Sequence, residues 1–265
     1  GMAQAQQGAD GAAAAKPQYP VGFADAQEDP NNTLKYAEVD AAQTDGLLPF
    51  NPLQPLRDSS KAFNERTERA ANIKFGYAFR TVYQAASKVR PGTDDSGIAS
   101  TFNYTGRWGL VRRGQPTQGE LFFQVEGRWD YGTTPPLVIG LGSIGTAGGT
   151  ANTYSAYDPT FLLRNLYYRQ GSKEAGWVFR IGKITPGQMF LTSRHISPKT
   201  TYLPIAGTGL FAEGFADSGL GIAGVRYLGD RAYIAGGIHD ANADRYNWGD
   251  LGAGDFYKAV ELGVK

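Results

Sequence analysis

The chain has 265 residues, a formal net charge of +1 and no cysteine. Balanced charge gives no electrostatic footprint for nucleic acid or an acidic partner, and the lack of cysteine removes thiol catalysis, cysteine-based zinc sites and disulfide staples. No run approaches the roughly 18 apolar residues of a membrane helix. A mean hydropathy of −0.37 with 12% aromatic residues and 36 glycines is compatible with strands that alternate apolar and polar side chains.

Residues 1–16 are mostly Ala, Gln and Gly, with almost nothing to bury, and read as disordered. No basic region followed by an apolar core marks a signal peptide, and Gly1 ahead of Met2 suggests that a natural leader has been left out. Residues 16–56 carry six prolines and turn signals such as Asp29-Pro30-Asn31-Asn32 and Pro49-Phe50-Asn51-Pro52. They are expected to be irregular and pinned by Tyr36, Leu47, Leu48 and Phe50. Asp58 or Ser59 is placed to cap a short helix over Lys61–Ala71, too polar for a core element and expected near the base of the first strand. Residues 1–70 are thus an N-terminal extension, and residues 71–265 are the strand-bearing region.

From Ala71 the pattern alternates. Over 72–83, Ile73, Phe75, Tyr77, Phe79 and Tyr83 share one face, opposite Asn72, Lys74, Gly76, Ala78 and Arg80. Residues 100–112 set Phe102, Tyr104, Trp108 and Leu110 against Asn103, Thr105, Arg107 and Gly109. Glu120–Tyr131 sets Leu121, Phe123, Val125, Trp129 and Tyr131 against Gln124, Glu126, Arg128 and Asp130. This stretch reaches about 40 Å when extended, long for a soluble strand, and leaves Phe122 on the polar face. Further strands are expected at 160–171, 175–184, 219–229, 231–240 and 256–265. In 160–171 the better apolar face (Leu162, Leu166, Tyr168) brings Arg164 with it. In 219–229, Ala223, Val225 and Tyr227 are assigned outward and Arg226 inward.

The connections alternate long and short: 85–99, 113–119, 132–159, 171–174, 185–218, 229–230 and 241–255. Outer-membrane barrels are built this way, with short periplasmic turns and long extracellular loops. The expected fold is therefore all-β, an antiparallel transmembrane β-barrel of which about eight strands are visible. Trp129 and Tyr131 fall at the extracellular aromatic girdle.

Sites of chemistry are sparse. Gly140-Leu141-Gly142-Ser143-Ile144-Gly145 matches a dinucleotide-binding glycine pattern, but Thr146–Thr153 is unsuited to start the helix that must receive the pyrophosphate, and a flexible loop tip is expected. His195 and His239 are the only histidines and lack a nucleophile motif or a second ligand at helical spacing. Glu126 and Asp130 lie about 13 Å apart on one strand face, too far to act as a glycosidase pair. No enzyme activity, metal or cofactor is expected. The positive reading is the inner face: Lys74, Arg80, Arg107, Gln124, Glu126, Arg128, Asp130, Asn165, Arg169, Arg180 and Arg226 as pore-lining groups, with Tyr167 and Tyr233 adding aromatic surface for sugar rings. The excess of basic groups predicts mild anion preference. Arg194, His195, Lys199, Glu213 and Asp217 would narrow the pore if the 185–218 loop folds inward; the alternative is an exposed loop.

Several segments carry a family likeness. They are Ile73-Lys74-Phe75-Gly76-Tyr77, Asn165-Leu166-Tyr167-Tyr168-Arg169-Gln170, Phe179-Arg180-Ile181-Gly182-Lys183-Ile184 leading to Phe190-Leu191-Thr192-Ser193, Gly224-Val225-Arg226-Tyr227 before the 233–240 strand, and Val260-Glu261-Leu262-Gly263-Val264. Together, across 71–265, the chain resembles the carbohydrate-selective porins, the OprB family of Gram-negative outer membranes. The resemblance implies a sixteen-stranded barrel in the bacterial outer membrane that passes mono- and small oligosaccharides by diffusion, with arginine and glutamate at its constriction and Arg180 and Arg226 in the lumen. Asn165 and Arg169 stand where the family often has glutamate. The strand count is about half the family's, and the closing Gly263-Val264-Lys265 lacks a terminal aromatic, so an N-terminal half or truncated porin is expected. Partners are then outer-membrane lipid and small hydrophilic solutes. Two other readings stand beside it: a small non-conducting eight-stranded barrel acting as anchor or adhesin, and a soluble secreted sugar-binding β-sheet protein.

Overall fold

The computed structural model describes residues 54–145, 160–190, 216–229 and 231–264. The expectations for residues 1–53 and for Thr146–Thr153 lie outside the described residues.

Helix α1 spans Gln54–Ala71 and starts earlier than the expected Lys61. Asp58 and Ser59 do not cap it. Gln54 donates to the Asp58 carboxylate at 2.9 Å and Ser59 donates back to the Pro55 carbonyl at 2.8 Å, so both side chains are used inside the helix. Pro55 is tolerated because the first turn has no intrahelical acceptor for its missing N–H. The helix ends where Asn72 turns into the left-handed region at φ 56 and donates its side-chain amide to the Gly109 carbonyl.

Eight strands follow: β1 (Ile73–Ala85), β2 (Ser96–Val111), β3 (Gly119–Asp130), β4 (Thr160–Ser172), β5 (Trp177–Ile184), β6 (Gly219–Leu228), β7 (Ala232–Asp240) and β8 (Phe256–Val264). They form one antiparallel meander in sequence order. β1 and β8 do not pair with each other, so the sheet is open. α1 covers the start of the β1 edge: Asn64 accepts from the Phe75 N–H at 2.6 Å and donates to the Phe75 carbonyl at 2.9 Å, and Thr67 donates to the Ile73 carbonyl at 2.9 Å. An amide side chain here replaces two bonds that a neighbouring strand would make. Among the described residues no helix is long and apolar enough to cross a membrane, which says nothing of strands.

The two faces of the sheet have opposite chemistry, and it is the reverse of a soluble sandwich. The buried face carries Thr101, Asn103, Thr105, Glu120, Gln124, Glu126, Arg128, Asn165 and Arg180. The other face exposes Tyr77, Phe79, Tyr83, Trp108, Phe161, Ile181, Ile222, Ile234 and Ile238, reaching 66% exposure at Phe161 and 81% at Val260 on β8. Aromatic rings line this exposed face from one end of the strands to the other, with Phe75, Tyr104 and Phe123 packed together midway. Near the long connections, Trp129 sits between Phe79 and Phe161 with ring centroids 5.8 and 6.1 Å away. Toward the short turns lie Trp108, Tyr168, Phe179 and Trp177, the last two stacked at 5.9 Å. Trp108 pairs with Leu121, eight residues from Trp129, a span of about 26 Å along the strand.

Three directly opposed pairs place an aromatic ring over a glycine: Phe123 on Gly106, Phe161 on Gly127 and Tyr233 on Gly263. A Cβ at any of the three glycines would run into the ring.

Two expectations about facing are corrected. In β4 the alternation breaks at Arg164, because Gln124 pairs with Asn165 while Val125 pairs with Leu163, leaving Arg164 as the extra residue of a β-bulge. Leu162 is therefore buried opposite Glu126, and Leu163 takes the exposed side with Val125. In β6 the assigned faces are inverted. Ala223 and Val225 are buried and Tyr227 packs beside them, while Ile222, Arg226 and Leu228 are exposed. The small side chains fit beneath an internal apolar cluster, and the longer ones stand on the outer face.

That cluster also accounts for Phe122. It is 1% exposed and stacks on Tyr167 at 4.8 Å, within a group that includes Val178, Met189, Phe190, Ala223, Val225, Tyr233 and Ala235. The glycine run 140–145 is likewise no loose tip. A helical turn α2 (Pro136–Val138) continues into a wider turn over Ile139–Ser143, with Ile139 and Ser143 buried and the Ser143 carbonyl accepting from Arg90. The helical turn precedes the glycine pattern, the reverse of the order a pyrophosphate site needs.

Candidate functional site

The chemistry-bearing residues lie on the buried face, mostly on β1–β5. Strand pairing sets Lys74 opposite Arg107, Glu120 opposite Arg169, Gln124 opposite Asn165, and Arg169 opposite Arg180. Directly paired side chains stand about 5 Å apart, so cross-strand hydrogen bonds are the natural outcome.

Amides form one such ladder. Gln124 donates to Asn103 at 2.8 Å, Asn165 donates to Gln124 at 2.6 Å, and Asn165 accepts from the Thr185 N–H at 3.0 Å and its hydroxyl at 3.1 Å. Four segments are joined by it, and the chain leaving β5 is tied to the polar wall. Met189 and Phe190 then enter the apolar cluster. The 185–218 connection therefore begins against the buried face.

Charged groups form two further sets. Glu120 is held between Arg107 and Arg169, the latter at 2.7 Å. Glu126, with 0% exposure, takes Arg128 through Nε at 2.8 Å and Nη2 at 2.7 Å, with Arg164 at 3.8 Å. Arg164 reaches on to Asp217 at 3.4 Å, and Asp217 holds Arg245 at 3.2 Å. Signs alternate along this chain, from β3 through the β4 bulge to the end of the β5–β6 connection and into the β7–β8 connection. Each set holds one more cation than anion, and burial makes unpaired charge costly.

The remaining residues expected to line a pore are distributed as follows. Lys74 ion-pairs with Glu68 of α1 at 2.8 Å. Arg180 lies over the Tyr167 ring at 5.3 Å. Arg80 faces the buried side opposite Thr101. Asp130 stands at the rim, lining a cleft of about 580 Å³ with Asp94, Asp95, Ser96, Thr133 and Thr134. Arg226 is corrected: it pairs with Trp177 and Ile234 and is exposed on the outer face. Of the expected constriction group only Asp217 is described, tied to Arg164 and Arg245; Arg194, His195, Lys199 and Glu213 lie outside the described residues. His239 is 1% exposed beneath Phe190 and Tyr257, with neither ring nitrogen hydrogen-bonded among the described residues. Among the described residues no His, Cys, Asp or Glu group is arranged to hold a metal.

Sequence reasoning missed Glu120, Thr101, Arg164 and Arg245. Glu120 shares the even-numbered face with Gln124 and was legible; Arg164 was hidden by the bulge and Arg245 by its place in a connection. Buried Lys183 was also missed. Its ammonium donates to the Asn247 and Arg245 carbonyls at 2.6 and 3.3 Å and lies 5.6 Å from the Trp248 ring, which fastens the β7–β8 connection to β5.

Compared with protein-family models, curated proteins and solved structures, the chain finds no match in any of the three.

Proposed function

We propose that this sheet belongs to a transmembrane β-barrel of the bacterial outer membrane that acts as a porin, a passive diffusion channel for carbohydrates and other small hydrophilic solutes. The observation that carries the reading is the inversion of the two faces. Glutamine, asparagine, glutamate and arginine occupy the buried side, while Phe79, Phe161, Ile181, Ile222, Ile234 and Ile238 face outward. Water would expel that outer face, whereas hydrocarbon solvates it. Trp108 and Trp129 mark a strand length of about 26 Å on that face, about 20 Å along a barrel axis at the usual strand tilt, which fits within the ~25 Å apolar band of such barrels. The alternation of short and long connections supports the same reading, and so does the resemblance to carbohydrate-selective porins.

A sheet in lipid has to close, because an open edge leaves N–H and C=O groups without partners. The edges of β1 and β8 therefore call for further strands, which agrees with the sixteen that the resemblance implies. Within the pore no bond is made or broken. Arginine, glutamate and amide groups exchange hydrogen bonds with passing hydroxyls, and the Thr185–Phe190 segment narrows the lumen from one wall.

A second reading is favoured by one observation. Phe122, Tyr167, Met189 and Phe190 fill part of the buried face tightly, as in a small eight-stranded barrel whose interior is occupied by side chains. Liposome swelling separates the two readings. A channel lets neutral mono- and disaccharides enter proteoliposomes at rates that fall with solute size. Insertion into vesicles without sugar entry would sink the porin reading in favour of an anchor.

A further inference from the structure

We infer that the buried face carries an oxyanion site built on β1–β3 from Arg80, Thr101 and Arg128. The three are directly opposed across adjacent strands, Arg80 to Thr101 and Thr101 to Arg128. Strand spacing sets the two arginine backbones about 10 Å apart with the threonine between them, and guanidinium groups on flexible stems reach across that gap. Arg128 is already engaged by Glu126; among the described residues Arg80 Nη1 and the Thr101 hydroxyl are not engaged. Thr101 is 0% exposed, and its hydroxyl has no hydrogen-bond partner among the described residues. Arg80 Nη1, on the residue paired with it, is also buried without one among the described residues.

Buried donors without acceptors are rare and costly. A guanidinium and a hydroxyl on paired residues, with a second arginine on the next strand, offer donors to one ligand in a positive setting. A planar or tetrahedral oxyanion satisfies them, since arginine matches carboxylate and phosphate geometry. Neutral sugar hydroxyls offer no compensating charge. The ligand class is therefore a small phosphate- or carboxylate-bearing solute, held weakly enough to leave. This inference rests on the reading of the buried face as a wet lumen wall.

Isothermal titration of inorganic phosphate, and separately of acetate, into the detergent-folded full chain tests it. Saturable binding of at least one of them is expected, weakened at least tenfold in Arg80→Gln and severalfold in Thr101→Val. Arg226→Gln, on the opposite face, is expected to bind like the parent. Absence of saturable binding, or equal weakening in Arg226→Gln and Arg80→Gln, overturns the site. Detergent-dependent circular dichroism of each variant guards against misfolding: loss of binding in a variant that has lost its β signal is replaced by the milder Arg80→Lys, expected to retain part of the affinity. Sugar-entry failure with phosphate binding intact overturns the channel and leaves the site standing.

Discussion

Glu126 is enclosed between Arg128 and Arg164, so its charge holds two guanidinium groups in place at once. In Glu126→Gln the two cations face each other with half their compensation gone. The expected cost is about 3 kcal/mol, read as a lower urea midpoint for loss of the heat-modifiable band of the folded protein. Asn165→Ala removes the acceptor of Thr185 and the donor to Gln124. It should cost about 1–3 kcal/mol through the groups left unsatisfied, and loosen the chain at Thr185. Residue facing was readable wherever polar and large apolar residues alternate strictly, as from Phe123 to Glu126. It was misread in β6, where the exposed face carries Arg226 beside Ile222 and Leu228: an arginine there suggests the wet side, and only side-chain size marks Ala223 and Val225 as the buried ones. A bulge leaves no mark in composition, so Arg164 could not be placed from alternation alone.

Strands were legible as elements because each keeps its period over most of its length, and the ends erred by only a few residues. Two features of the elements depend on contacts distant in sequence. Rings lie over glycines at Gly106, Gly127 and Gly263, filling the gap where a strand has no side chain. Gly106→Val would push Phe123 off its contacts with Tyr104 and Phe75, whose ring centroids lie 5.7 and 6.3 Å away. Overpacking of this kind costs about 1–3 kcal/mol, checked by thermal unfolding in detergent. The clasp of α1 on β1 is the second feature. Removing its amide in Asn64→Ala leaves the Phe75 N–H without its acceptor. Hydrogen exchange at Phe75 should then accelerate on the order of tenfold, equivalent to about 1.4 kcal/mol, with exchange in β5–β7 unchanged. The helix was predictable from its composition. Its role as an edge cover was not, because Asn64 carries no signal of which backbone it will meet.

At the level of the molecule, the solvent on the exposed face decides what the protein is. Ile222 lies inside β6 and Leu228 at its short-turn end, and both are exposed. In phospholipid vesicles Ile222→Arg should cost about 2–4 kcal/mol and Leu228→Arg about 0–1 kcal/mol, because lipid penalises a cation by depth. Urea titration of the vesicle-folded variants reads the difference. Near-equal effects within about 0.5 kcal/mol would mark that face as wet and remove the membrane reading.

The two bulges of the sheet both flank β3, one against β2 between Gly109 and Val111 and one against β4 between Gln124 and Val125. They lie at different heights, so β3 is keyed on both sides and cannot slide by two residues without forcing an extra residue into a regular ladder on either side. The other pairings, β1 with β2 and everything from β4 through β8, run without such keys. Mechanically the molecule has a fixed post and a row of rails. Pulled along its strands, it should yield first among β5–β8, where register is held only by hydrogen bonds and side-chain fit, while β2, β3 and β4 come away last as one piece.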